Sequence, residues 1–294
     1  MSRDRFISLY ERLIDIQRGS NKVELKSDDL SKTLADLTAF SLNYLEGLEK
    51  AELESKVPNK EYFMFENTES GRTSRPVNKG LFISEFDTKN CEKIFNLDFE
   101  DLGEEELNRS LYTLAISYCA ACDTLKIGDQ KTPGTFFENF VGHLVARALN
   151  TNPAKHVTIP TLDEEIRIPT DFVFDLGEGN NRLHLPVKTS TRERVIQVWA
   201  HQRVLDGMHG VARFKGVLAA LAETNKQNNT SVVEVCLPQQ WITYQMYIAQ
   251  MYRVYYLDIP EKYMDLKNKY PFIQVKPFSE MFSEIEKIKR SSND

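Results

Sequence analysis

The hydrophobic pattern changes period once, near Asn150, and that change limits what the chain can fold into. Before it, apolar residues recur at three- and four-residue spacings, as in Phe6, Leu9, Tyr10, Leu13 and Ile14, then Leu34, Leu37, Leu42, Leu45 and Leu48. These spacings predict helix over residues 1 to about 57, with an N-cap at Ser27-Asp28-Asp29 and a stop at Pro58. Two more helices are predicted over 105–125 and 134–149, joined by a loop at 128–133. After Asn150 the runs shorten to strand-like segments at 157–159, 166–168, 172–174 and 183–187, the last two separated by a turn at 177–181. A helix over 192–206, buried strands at 216–222 and 232–237, a helix over 239–251 and a strand at 254–257 follow, and Pro260 and Pro277 introduce short helices. Strands alternating with helices behind a helical half predict an α/β fold with a mixed sheet. The expected division is a helical N-terminal region over 1–130 and a core over 131–294, packed as one compact unit.

With 41% hydrophobic and 27% charged residues, the 294-residue chain can bury a large core, which excludes disordered and fibrous classes. It has no apolar run long enough to span a membrane, and Met1-Ser2-Arg3-Asp4-Arg5 leads into polar helical sequence without an apolar signal core. Cys91, Cys119, Cys122 and Cys236 are too scattered for a disulfide framework, so a reducing cytoplasm is expected. Cys119-Ala-Ala-Cys122 has the spacing of half a zinc site, but no second half follows it and packing is the expected role. Lysine and arginine number 37 against 43 acids, a formal charge of −6, which excludes a uniformly basic nucleic-acid-binding surface and leaves room for a basic cleft. The polar segment 67–80 carries Arg72, Arg75 and Lys79 with no acid after Glu69, and reads either as a solvated loop or as an arm that contacts phosphates.

The chemistry concentrates between Ile168 and Arg194. Asp171 opens one predicted strand and Lys188 closes the next, 17 residues later (188 − 171). An antiparallel hairpin of this length places its open ends side by side, so carboxylate and ammonium can face one pocket. Such a carboxylate can hold a divalent cation, and the lysine beside it can orient a water for attack on phosphorus. A plain salt bridge across the hairpin mouth is the alternative. Upstream, Glu138 stands among Phe136, Phe137, Phe140 and Val141, surroundings that seldom take an acid without a partner. Its alternative is a solvent-facing polar stripe shared with Asn139 and His143.

This arrangement resembles the PD-(D/E)xK nuclease fold, a mixed sheet flanked by helices, with Pro169-Thr170-Asp171 as the first half-motif and Lys188 as the end of the second. Pro186 stands where that motif has an acid. Some restriction endonucleases of this fold carry the missing acid thirteen or fourteen residues after the lysine, where this chain has His201 and Gln202, and a Gln oxygen can still ligate a hard cation. Lys188 followed by Arg192-Glu193-Arg194 is similar to the Lys-x3-Arg-(Asp/Glu)-Arg arrangement of type II restriction endonucleases that read CCGG, CCNGG or CCWGG. Arginine can donate to guanine O6 and N7 while a carboxylate accepts from cytosine N4, so the triplet suits G·C pairs. The alternative is a capping box, Ser190-Thr191-Arg192-Glu193. The resemblance spans roughly 134–210 and does not cover the first 130 residues. It implies a Mg²⁺-dependent endonuclease acting on double-stranded DNA as a homodimer. Asp171 and Glu138 would hold the metal, Lys188 and Gln202 would complete the catalytic group, and Arg192, Glu193 and Arg194 would read bases. Arg72 and Arg75, outside the resemblance, are expected to support DNA binding where the 67–80 segment acts as a phosphate-contacting arm. The rival expectations are a repair or junction-resolving nuclease of the same fold and a non-catalytic DNA-binding protein.

Overall fold

In the computed structural model, residues 2–18, 24–125, 131–160, 165–177, 180–211 and 213–290 are described. Helices α1 (Ser2–Arg18) and α2 (Asp28–Glu46) form as the spacing predicts, and the Ser27 hydroxyl caps α2 by accepting from the Leu30 N–H at 3.3 Å. The helical reading fails beyond Gly47. Ala51 and Leu53 there alternate with charged neighbours, and residues Glu49–Ser55 form strand β1, followed by β2 (Tyr62–Asn67), β3 (Arg72–Thr73) and β4 (Val77–Asn78). The Glu- and Lys-rich composition of β1 favours helix locally, but pairing with β2 from Glu49↔Glu66 to Leu53↔Tyr62 overrides it. The N-terminal region is therefore partly β, and the 67–80 segment belongs to its sheet. Helices α3 (Asn90–Phe95), α4 (Glu104–Leu125) and α5 (Thr132–Leu149) complete it; of the loop expected between α4 and α5, residues 126–130 lie outside the described set. Cys119 and Cys122 on α4 are buried free thiols, and burial pushes the Cys119 thiol up to about 11, as suits packing residues.

The second half begins with β5 (Ala154–Pro160), β6 (Glu165–Asp175), β7 (Arg182–Leu185) and β8 (Val187–Lys188). The runs at 166–168 and 172–174 are thus one strand, with Asp171 inside it and not at its start. Residues 178–179 of the expected turn lie outside the described set. A 3-10 turn (Arg192–Arg194), α6 (Val195–His209) and β9 (Phe214–Ala220) follow, then β10 (Thr224–Gln227), β11 (Ser231–Glu234), α7 (Pro238–Tyr247), β12 (Arg253–Tyr256), α8 (Glu261–Lys269), β13 (Val275–Pro277), α9 (Glu280–Ser283) and α10 (Ile285–Lys289).

Seven strands form a mixed sheet in the order β13-β12-β9-β7-β6-β5, with β8 also on β9. β5, β6 and β7 are antiparallel neighbours, whereas β7, β12 and β8 run parallel to β9 and β13 runs parallel to β12. The second sheet, β10-β11-β1-β2-β3 with β4 on β2, takes a hairpin from the C-terminal half, because β11 pairs in parallel with β1. This corrects the reading of 232–237 as a strand of the main core. Asn228 and Asn229, at φ 50 and 57, take the two left-handed positions of the turn that reverses the hairpin. One buried cluster joins both halves through Phe6, Leu34, Phe95, Phe140, Phe172 and Tyr255. Among the described residues no helix is long and apolar enough to cross a membrane.

Two fully buried histidines tie this core together. His143 on α5 bonds Leu25 O at 2.5 Å through Nδ1, and Ser31 Oγ and Phe95 O at 3.0 Å through Nε2, while His184 on β7 bonds Gln202. Burial pushes the pKa of each down to about 4. Between that value and about 6.5 the unfolded chain binds more protons than the folded one, so stability rises with pH across this window and falls in acid, by roughly 3 kcal/mol per histidine once pH drops below the folded value. The raised carboxyls of Glu138, Asp206 and Glu234 act in the opposite sense, which makes the comparison between variants the informative one. Urea unfolding of wild type and His143→Gln between pH 7 and pH 4 should show a flatter pH dependence in the variant, and parallel curves would remove His143 from this account.

Candidate active site and nucleic-acid interface

The site starts from a fault in the sheet. β5 and β6 pair as Ala154↔Val173 and again as His156↔Pro169, so one residue of β5, Lys155, faces three of β6, Thr170 to Phe172. Irregularities of this kind re-aim a side chain out of the regular alternation. On the other edge, the β6–β7 ladder stops at Phe172↔Leu185, and Pro186, with no N–H to give, separates β7 from β8. Asp171 fills the gap: its Oδ2 accepts from the Val187 N–H at 2.8 Å and from Lys188 Nζ at 2.5 Å. Both side chains are about one quarter exposed, at 22% and 27%, so the pair is accessible from outside.

Glu138 is brought to the pair by a close helix contact. Gly142 lies four residues after it on the same face of α5, and a Cβ at Gly142 would lie 2.6 Å from the ring of Phe172, the neighbour of Asp171. The absent side chain lets α5 seat directly on β6 beside Asp171. Burial raises the Glu138 pKa, the negative charge of Asp171 raises it further, and Lys188 and Lys155 oppose the shift. Lys155 also faces this group, although a single lysine in a strand carries no sequence signal of its own. The solvent-facing stripe does not form, since Asn139 and His143 are fully buried and Glu138 is half-buried.

The structure does not bring Gln202 into this group as a free ligand. Its Nε2 donates to Asp206 Oδ1 at 2.9 Å and to Phe214 O at 2.8 Å, and its Oε1 accepts from His184 Nδ1 at 2.9 Å. The side chain is 1% exposed and pressed on β9, where a Cβ at Gly216 would lie 2.5 Å from its oxygen. Spacing from the lysine counts positions along α6, but it does not say which of them face the sheet. Among the described residues no group of three or more His, Cys, Asp and Glu is placed to share a metal. Two carboxylates repelling each other, Asp171 and Glu138, nevertheless fit a hard divalent cation, because Mg²⁺ is usually held by one or two carboxylates together with substrate phosphates.

Beyond Lys188 the chain enters the basic triplet. Ser190 is not the helix cap. The 3-10 turn has Thr191 before it, α6 starts at Val195, and Arg192 adopts a left-handed φ of 34. The Ser190 hydroxyl donates instead to Glu223 Oε2 at 2.7 Å; the side chain of Glu193 lies outside the described set. The exposed side chains of Arg192 and Arg194 border a cleft of about 820 Å³ that is also lined by Arg75, between β3 and β4, and by Lys226 of β10. Arg75 is held there by Asp123, with Nε and Nη2 donating to its two oxygens at 2.8 and 2.9 Å. Arg72 is half-buried in β3 and lies outside that lining.

The mixed sheet and its flanking helices form a restriction-endonuclease-like fold. A solved structure with this architecture is that of the Type IIP restriction endonuclease Kpn2I, which matches with a TM-score of 0.77 and 25% identity over 95% of this chain and 97% of its own. A complex of restriction endonuclease PspGI with substrate DNA aligns at a TM-score of 0.41 and 13% identity, over 68% of this chain and 77% of that one. No family model matches the sequence, and no curated protein does.

Proposed function

We propose that this chain is a type II restriction endonuclease that hydrolyses double-stranded DNA at a short site containing CC and GG steps, with Mg²⁺ as cofactor. The supporting observation is that Asp171, Lys188 and Glu138 gather at one strand break and that the chain leaving β8 at Lys188 reaches Arg192, four residues later, at the mouth of a basic cleft. Mg²⁺ held by Asp171 and Glu138 would offset charge on the phosphoryl oxygens. Lys188 Nζ, oriented by Asp171 Oδ2, positions the attacking water and holds positive charge beside the phosphate. Water oxygen bonds to phosphorus, the bond from phosphorus to one sugar oxygen breaks, and that oxygen leaves with a proton.

A homodimer suits a palindromic site, because two copies then cut two antiparallel strands. The exposed side chains Val211, Met246, Tyr247 and Phe272 border one cleft and offer an apolar face for the second copy. The free cysteines fit a cytoplasmic setting. Incubating the purified protein with phage DNA and Mg²⁺ and mapping the ends tests the whole reading. One repeated sequence at the ends supports it, whereas cuts set by DNA shape would indicate a repair or junction nuclease. Binding without any cutting would favour the non-catalytic alternative, to which Pro186 in place of the motif's acid points.

Base readout by the triplet has its own measurement. Loss of one bidentate arginine contact to guanine costs ~1 to 3 kcal/mol of discrimination, whereas loss of a phosphate contact weakens all sequences alike. Arg192→Ala and Arg194→Ala are therefore expected to weaken binding to the cognate duplex selectively, compared with a scrambled duplex at one salt concentration. An equal drop on both would make the cluster a backbone clamp.

A further inference from the structure

We propose that Glu223 is the positioning residue that shapes the base-reading turn, an inference that rests on the reading of Arg192 and Arg194 given above. Glu223 lies three residues past the end of β9. The β8–β9 pairing continues beyond both strands, with Leu221 N donating to Lys188 O at 3.1 Å and Ala222 N to Thr189 O at 3.3 Å, and this delivers the next residue, Glu223, beneath Ser190. Its carboxylate is 1% exposed and accepts five hydrogen bonds. Oε2 takes Ser190 Oγ at 2.7 Å and Arg192 N at 3.4 Å. Oε1 takes Thr191 N at 2.8 Å, Thr191 Oγ1 at 2.7 Å and Tyr256 OH at 2.8 Å. Four of the five donors belong to three consecutive residues, 190–192, so the carboxylate grips one short stretch of chain and anchors it to β12 through Tyr256. A buried carboxylate is tolerated when donors surround it, and the free N–H groups at the start of a helical turn favour negative charge.

The grip accounts for the backbone of Arg192. A left-handed φ of 34 at a non-glycine residue is strained and persists only where the surroundings over-determine it. In a regular helix, residues two apart point about 200° away from each other, so Arg192 and Arg194 could not both face one groove. With Arg192 turned out of the helical conformation, both side chains border the same cleft. Glu223 touches neither the cleft-facing guanidinium groups nor the Asp171–Lys188 pair among its hydrogen bonds; it acts through the chain that carries the arginines.

The test compares wild type, Glu223→Gln and Glu223→Ala, using a duplex bearing the site mapped from cleaved phage DNA and a scrambled duplex of equal composition. In Glu223→Gln the new amide would still accept through one oxygen but would set an NH₂ group against donors of the turn. Both variants are expected to lose about tenfold or more of the ratio of cognate to scrambled affinity, while affinity for the scrambled duplex and its salt slope stay close to wild type. A merely structural role would lower the two affinities together, and that result, like an unchanged ratio, would overturn the proposal. If Glu223→Ala does not fold, Glu223→Gln and Tyr256→Phe, which removes only the anchoring hydroxyl, carry the same comparison, and an unchanged ratio in both overturns it equally. Wild-type protein that shows no preference for any sequence would instead refute the functional reading, so the two failures are distinguishable.

Discussion

Asp171→Asn is expected to reduce Mg²⁺-dependent cleavage by about a thousandfold or more, since removing one preorganised group that meets transition-state charge costs about 3 to 4 kcal/mol. The replacement has the same shape and keeps an oxygen that can accept from the Val187 N–H, so the strand break at Pro186 should survive. What it removes is the charge that orients Lys188 Nζ and, on the proposed reading, one of two metal ligands. Lys188→Met should fail comparably while leaving the carboxylates in place. Neither side chain is directed at base edges on this reading, so duplex binding measured with Ca²⁺ in place of Mg²⁺ should hold for both variants. Single-turnover cleavage with a fluorescent duplex reads the effect, and turnover near wild type in either variant would take that residue out of the mechanism.

Lys60→Met is expected to lower the unfolding free energy by about 3 to 5 kcal/mol, the usual cost of breaking a buried ion pair from one side. The ammonium sits between the two sheets and donates to Glu234 Oε1 at 2.9 Å, Asp258 Oδ1 at 2.8 Å and Ile259 O at 2.5 Å. Burial alone would push the Lys60 pKa down; Asp258 and then Glu234 outweigh it and hold the charge. Without the lysine, two carboxylates that are 5% and 2% exposed face each other unpaired, with only Asn78, Tyr62 and the Glu261 N–H as donors among the described residues. Urea unfolding at pH 7 gives the number, and Lys60→Met combined with Asp258→Asn and Glu234→Gln should recover part of it by removing the stranded charge. A single-variant loss below about 1 kcal/mol would place the cluster among ordinary surface pairs.

The residues of the Asp171–Lys188–Glu138 group were legible in the sequence because each violates a local pattern. An acid stands amid aromatic side chains, and an acid and a lysine bracket a hairpin that is otherwise apolar at their end. Gly142, which seats α5 on that hairpin, reads in sequence only as a helix glycine, because the ring of Phe172 beneath it comes from a separate strand. The fold class was equally legible, since the change from helical to alternating period is written in neighbouring residues, and most helices and strands of the second half fall where that period places them. β1 escapes the sequence because Glu, Lys and Ala suit a helix and only the partner strand makes them extended.

The α/β class, most helices that frame the sheet, and the candidate acids, lysine and arginines are written in residue types and in spacings of two to four. Tertiary contacts alone set Gln202 against His184 and Asp206 and not Asp171 or Glu138, let Asp123 hold Arg75, and let Glu223 grip the turn 31 to 33 residues before it. These are contacts between elements, set by strand register and by which helix face meets the sheet, and no local periodicity records either.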